Sequence, residues 1–174
     1  MTKPCNAATY RAATLKLALA HEPKVIVEVG VYAGALSALL ATIPSREKQF
    51  IVDSWEGGYS NFDQKHMDSI AQDVISWAKT QPKLTVYRMR SIEGAKLFEA
   101  ESIDFFHTDG DHSIEGITDD IRAVLVDTGT YVVDLATHNM HDDLSGIVAT
   151  SANLSGKTVT GGVADASDVN FSAV

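Results

Sequence analysis

The chain has 174 residues, 45% of them hydrophobic and 21% charged, values that fit a single globular domain over residues 1–174 and exclude a disordered chain. Its 23 acidic and 14 basic residues give a formal net charge of −9, which disfavours nucleic acid and anionic membranes as partners because both would be repelled. The single cysteine, Cys5, excludes an internal disulfide, and since no stretch resembles a signal peptide or a membrane span, we expect a cytoplasmic protein.

Short apolar runs alternate along the chain with longer segments of helical pattern. The predicted elements, in chain order, are a helix over 8–20, a strand over 25–29, a helix over 34–43, a strand over 49–53, a helix over 63–79, a strand over 84–89, a helix over 92–99, a strand over 103–108, a helix over 114–126 and a strand over 131–133, followed by a helix over 144–150 and β-like runs over 157–160 and 169–173. This alternation predicts an α/β fold with a mainly parallel sheet and helices on both faces. Ligands of such sheets bind beyond the carboxyl ends of the strands.

The first predicted strand contains Glu28 near its end and runs into a loop that carries Gly30 and Gly34. Glycine allows the backbone to turn sharply and to approach a ligand closely. Dinucleotide-binding loops have a further glycine between these two, and its absence disfavours a dehydrogenase. A carboxylate at Glu28 would oppose a phosphate, but it suits the cationic amino-acid part of S-adenosylmethionine. A plain turn between strand and helix is the alternative at this stage.

Two more strand ends support an adenosine-containing ligand. Asp53 ends the second predicted strand, about twenty residues after the loop, where a carboxylate can accept hydrogen bonds from both ribose hydroxyls. Ser91 follows the third strand, where it either faces the adenine or caps the next helix.

The pattern Glu28-x-Gly30-x-Tyr32-x-Gly34, with Asp53 and the segment over 104–112, resembles class I S-adenosylmethionine-dependent methyltransferases. The resemblance spans about residues 25–134 and is strongest to the catechol O-methyltransferase-like branch and to the sugar O-methyltransferases of macrolide biosynthesis. It implies a Rossmann-like, doubly wound fold with a seven-stranded sheet whose last strand is antiparallel. The candidate cofactor-binding residues are Glu28, Gly30, Tyr32, Gly34, Asp53, Ser54, Ser91 and Asp109. One departure is Leu36, where relatives often carry a serine that helps to hold the cofactor; Ser37 is one position away.

The fourth predicted strand leads into Asp109, Gly110, Asp111 and His112. Methyl transfer to a hydroxyl needs an in-line arrangement and removal of a proton, which a histidine can accept near neutral pH. In the similar sugar O-methyltransferases a histidine at this motif position is the base. We therefore predict His112 as the general base and Asp109 as its catalytic neighbour. A helix cap is the alternative for His112.

The resemblance also implies a metal site, with Asp109 and Asp134 as two ligands of an Mg²⁺ ion. The third ligand of the family usually adjoins the strand-five aspartate, yet the neighbours here are Val133 and Leu135, which cannot ligate. Both a Mg²⁺ site and a metal-free site are left open. An Asp-x-Asp motif is also typical of haloacid dehalogenase-type phosphatases, but there it follows the first strand of the domain.

Segments 54–59 and 137–141 are candidates for the acceptor pocket, although Trp55 alone is more typical of a core edge. His107, inside the fourth strand, is predicted to be packed rather than catalytic.

The function that these residues favour is an S-adenosylmethionine-dependent O-methyltransferase acting on a hydroxyl of a small molecule or sugar. The rival is a non-catalytic methyltransferase-like domain that binds a nucleoside ligand or a protein partner. The oligomeric state is not predicted.

Overall fold

The computed structural model describes residues 7–57, 62–99, 102–111, 116, 132–135 and 158–161. Its helices are α1 (Ala7–His21), α2 (Ala35–Leu40), α3 (Gln64–Ala78) and α4 (Ser91–Gly94), the last continued by a 3₁₀ turn over Ala95–Leu97. Its strands are β1 (Val25–Val29), β2 (Lys48–Asp53), β3 (Leu84–Arg88), β4 (Phe105–Thr108), β5 (Val132–Leu135) and β6 (Thr158–Gly161). No helix within these ranges has the length and apolar character needed to cross a membrane.

The six described strands form one sheet in the order β3-β2-β1-β4-β5-β6, and every neighbouring pair is parallel. The chain order reverses between β1 and β4, so the loops that leave these two strands diverge and open a crevice at their carboxyl ends. The predicted doubly wound α/β fold with a parallel sheet is thereby confirmed. The predicted seventh, antiparallel strand, the helix over 144–150 and the run over 169–173 lie outside the described residues. Of the helix predicted over 114–126, only Gly116 is described, and it is helical.

Helices cover both faces of the sheet. On one face α1 and α2 pack on β1 and β4 around Ile26 and Phe105, and α3 packs on Ile51 of β2. Because side chains alternate along a strand, Phe50 and Val52 point to the opposite face. There Phe98, just after the 3₁₀ turn, packs edge-on against Phe50 at 5.1 Å between ring centroids.

Two helices are shorter than predicted. The segment predicted as a helix over 34–43 is helical only from Ala35 to Leu40, and Gly34 precedes it in the left-handed conformation at φ 73°. The segment predicted over 92–99 forms one helical turn and a 3₁₀ turn, because Phe98 adopts an extended conformation next to Phe50. Tertiary packing sets both ends, and local sequence patterns do not record it.

Candidate active site

A cavity of about 480 Å³ lies at the carboxyl ends of β1, β2, β3 and β4, the place predicted for a ligand. Its volume is in the range of small-molecule and cofactor sites. The acidic side chains that line it outnumber the arginines: Glu28, Asp53, Glu56, Asp109 and Asp111, against Arg11 and Arg90. Such a lining raises the local concentration of cations and disfavours polyanions.

The loop after β1 is held in a strained turn. Gly30 and Gly34 have φ values of 80° and 73°, and Tyr32 between them has φ 48°. A Cβ atom on Gly30 would lie 2.3 Å from the carbonyl carbon and oxygen of Asp109, so the glycine is required for contact between the β1 and β4 loops. Gly30 and Tyr32 line the cavity, whereas Gly34 starts α2 and is not part of the lining.

Asp53 organises the loops on both sides of it. Its Oδ2 accepts hydrogen bonds from the backbone N–H groups of Val31 and Tyr32, both at 2.8 Å, and its Oδ1 accepts one from Trp55 N–H at 2.7 Å. A carboxylate has about four acceptor positions, so three are used by the protein itself. One position is left for a ribose hydroxyl, where the sequence predicted two such bonds. Trp55 is fully buried and donates its indole N–H to the Tyr32 carbonyl.

Replacing Asp53 with Asn is expected to lower the free energy of unfolding by about 1.5–3 kcal/mol. An amide offers one acceptor oxygen and one donor nitrogen, so the NH₂ group must face at least one of the backbone N–H groups that the carboxylate now serves. Asp63→Asn is the matched control, because Asp63 only accepts the His66 N–H at the start of α3 and asparagine caps helices equally well. Urea denaturation of both variants measures the difference; equal stability of the two would contradict this role of Asp53.

Glu28 is the buried acid of the cavity. Its side chain is 1% exposed, and Ser37 donates a hydrogen bond to its Oε2 at 2.6 Å. Burial raises the pKa of Glu28 from 4.5 to about 7; nearby His107 and the Ser37 hydroxyl oppose this rise, and Asp109 and Asp53 add to it. The carboxyl group is therefore poised to become charged when a cation enters the cavity. Ser37 is itself fully buried, and its hydroxyl is used by the hydrogen bond to Glu28.

His107 combines the packed position that was predicted with a place in the cavity lining. It is 1% exposed and lies beside Glu28 across the β1–β4 pairing. The hydroxyl of Tyr10, in α1, lies 3.3 Å from its Nδ1 and 3.2 Å from its Nε2. Sequence reasoning missed Tyr10 and its neighbour Arg11 as cavity residues, because a helical pattern does not show which strands the helix covers.

The opposite end of the cavity is formed by the residues that follow β2 and β3. Ser54 and Ser91 both line it, and their predicted contacts to a cofactor stay a prediction. Ser91 is the first residue of α4 and Arg90 is its cap residue, so the alternative prediction of Ser91 as the cap is wrong. Arg90 forms an ion pair with Glu56 at 2.7 Å, which links the β2 and β3 loops at this end.

The predicted catalytic and metal residues are only partly within the described chain. Asp109 lines the cavity, and its N–H donates to the Val29 carbonyl at 2.8 Å. Asp134 lies inside β5 at the level of His107, one residue before the strand ends. His112 lies outside the described residues. Among those that are described, no three His, Cys, Asp or Glu residues cluster in a way that could hold a metal ion, and the Mg²⁺ site stays a prediction.

Comparison with known proteins agrees with this geometry. A family model described as a methyltransferase domain matches residues 27–134, from within β1 to within β5. The chain belongs to this methyltransferase domain family. The matched range includes the loops that form the cavity and leaves out α1. The family resemblance predicted from the sequence motifs is therefore confirmed, and no curated protein matches the chain.

Two solved structures share the fold of this methyltransferase domain. One is the S-adenosylhomocysteine-bound methyltransferase PaMTH1 of Podospora anserina, with a TM-score of 0.52 and 15% identity over 70% of this chain and 47% of that one. The other is TomG of Streptomyces achromogenes, an O-methyltransferase involved in tomaymycin synthesis, in complex with S-adenosylmethionine; its TM-score is 0.55, with 16% identity over 82% of this chain and 64% of that one. The domain thus spans less than two thirds of either structure's length.

Proposed function

We propose that this methyltransferase domain uses S-adenosylmethionine to methylate a hydroxyl group of a small molecule or sugar. The observation that carries the proposal is the buried carboxyl group of Glu28, which opens on an acid-lined cavity at the carboxyl ends of the strands. S-adenosylmethionine has a cationic sulfonium and an ammonium group, and both are attracted by such a lining. The neighbours PaMTH1 and TomG, crystallised with S-adenosylhomocysteine and S-adenosylmethionine, support the choice of cofactor.

The residues at the two ends of the cavity have different parts in this proposal. Glu28 and Asp109 attract the cationic amino-acid end of the cofactor, and Asp53, Ser54 and Ser91 bind its nucleoside end. The order of the strands supports this division, because β1 and β4 lie on one side of the cavity and β2 and β3 on the other.

The chemistry requires one proton acceptor. Bound S-adenosylmethionine supplies a methyl group on a positively charged sulfur, which an oxygen nucleophile can attack in line as the carbon–sulfur bond breaks. We assign the hydroxyl proton to His112, which follows Asp109 by three residues, and the second proposed role of Asp109 is to keep this histidine oriented. Positioning of the two reactants supplies much of the rate, and proton removal a further part.

Calorimetry with S-adenosylmethionine, followed by transfer of its labelled methyl group to catechol and to free sugars, tests the proposal. We expect one cofactor per chain, and His112→Gln should lower turnover by about 100-fold or more while leaving cofactor affinity within about twofold. His21→Gln, at the exposed end of α1, is the control and should behave as the wild type. Absence of cofactor binding would overturn the proposal. Binding without transfer to any hydroxyl would favour the non-catalytic domain instead.

A further inference from the structure

Arg11 in α1 is a cation with no described anionic partner. Its side chain is half-buried and lines the acidic cavity. The ion pairs of the described residues join Lys24 to Glu47, Arg88 to Asp68 and Arg90 to Glu56, so none of them uses Arg11. A half-buried guanidinium that faces a cavity is suited to an anionic group of a ligand, above all to a carboxylate.

The fold places Arg11 at the Glu28 end of the cavity. Its neighbour Tyr10 contacts His107, and His107 pairs with Glu28 across β1 and β4. The other cavity arginine, Arg90, lies at the opposite end, beyond β3, and is already paired with Glu56. The two arginines therefore serve different parts of any ligand that fills the cavity.

The proposed cofactor carries both charges at its amino-acid end. Glu28 and Asp109 attract its ammonium group, but they repel its carboxylate. Leu36 lines the cavity without a hydrogen-bond donor, and the hydroxyl of the neighbouring Ser37 donates to Glu28. The carboxylate therefore calls for a positive group, and Arg11 is a cation that lines this end of the cavity.

We propose that Arg11 binds the carboxylate of the methionine part of S-adenosylmethionine. This inference rests on the proposed function. Arg11 lies in α1, outside residues 27–134, so the match to the family model assigns it no role. Arg11 is a binding residue in this account and has no part in proton transfer.

The test compares S-adenosylmethionine with decarboxylated S-adenosylmethionine, which keeps the sulfonium and the ammonium group but lacks the carboxylate. Calorimetry is done on the wild type, Arg11→Gln and the control Lys16→Gln, which removes a charge from the exposed part of the same helix. We expect Arg11→Gln to weaken S-adenosylmethionine binding by about 10- to 100-fold and to leave the affinity for the decarboxylated compound unchanged or higher. Lys16→Gln should change neither affinity by more than about twofold.

The outcomes separate this inference from the proposed function. Unchanged S-adenosylmethionine affinity in Arg11→Gln, or an equal loss for both ligands, would overturn the assignment of Arg11 while the proposed function stands. Absence of binding in the wild type would overturn both. Arg11→Lys provides a second measurement if Arg11→Gln does not fold: it keeps the charge but loses the two-pronged geometry, and we expect an intermediate loss for S-adenosylmethionine only.

Discussion

Gly30→Ala is expected to lower the free energy of unfolding by about 3 kcal/mol or more and to abolish cofactor binding. The added methyl group would lie 2.3 Å from backbone atoms of Asp109, and neither loop can yield without separating the ends of β1 and β4. Two costs combine: a left-handed conformation disfavoured for alanine, and overpacking against a rigid neighbour. Urea denaturation measures the loss of stability, and calorimetry with S-adenosylmethionine under conditions where the variant is folded measures the loss of cofactor binding.

Gly34→Ala is the matched control for this change. Gly34 has nearly the same φ, 73° against 80°, but a Cβ there would meet only the Val74 side chain at 3.4 Å, which is an ordinary contact. We expect a loss of about 1–2 kcal/mol from the backbone conformation alone. If the two alanine variants lost the same free energy, the close approach of the β1 and β4 loops would not be the cause.

Glu28→Gln is expected to change how both stability and cofactor binding depend on pH. The pKa of Glu28 is raised by burial from 4.5 to about 7, so the folded protein holds this proton over a range in which the unfolded chain has lost it. The stabilisation is fully present below pH 4.5 and is lost as the pH rises through about 7. At 1.36 kcal/mol per pKa unit, the free energy of unfolding of the wild type without cofactor should fall by about 3 kcal/mol between pH 4.5 and pH 8, relative to that of Glu28→Gln.

The affinity for S-adenosylmethionine should rise with pH over the range in which the stability of the free protein falls. A cation near Glu28 favours the charged carboxylate, so S-adenosylmethionine affinity of the wild type should increase from pH 6 to pH 8, and binding should release a proton near pH 7. In Glu28→Gln the affinity should be about tenfold lower or more and the proton release should disappear. Glu47→Gln, at an exposed residue paired with Lys24, is the control and should keep both properties of the wild type. Calorimetry in buffers of different ionisation enthalpy counts the released protons; equal release by wild type and Glu28→Gln would contradict this role of Glu28.

The sequence contained enough to predict the fold and the place of the site. Short runs rich in β-branched and aromatic residues mark β1, β2 and β4, because strands in the interior of a parallel sheet are buried on both faces. The end of each strand could then be identified, and residues such as Glu28, Asp53, Ser54, Ser91 and Asp109 do line one cavity. The spacing of apolar residues and the order of the strands along the chain are both contained in the sequence, which is why they could be derived without coordinates.

What the sequence could not supply is which groups pair across the molecule. The predicted contact of Asp53 with a ribose stays a prediction, and the sequence did not show that this carboxylate also binds the backbone N–H groups of Val31, Tyr32 and Trp55. Gly30 was predicted to allow close approach of a ligand; it lines the cavity, and the structure shows that it also makes room for Asp109. These pairings join residues far apart in the chain, and spacing along the sequence carries no record of them. The same holds for Arg11, whose place in the cavity depends on how α1 packs on α2 and β4.

Amide hydrogen exchange with and without S-adenosylmethionine tests most directly whether this cavity is the cofactor site. With the cofactor bound, we expect slower exchange in residues 30–33, 53–56 and 90–92, whose amides surround the cavity at the carboxyl ends of β1, β2 and β3. The turns that contain Lys24, Glu47 and Lys83, at the amino-terminal ends of the same three strands, should exchange at the same rate in both samples. Protection confined to these amino-terminal turns, or no protection at all at a saturating cofactor concentration, would contradict the assignment of this cavity as the cofactor site.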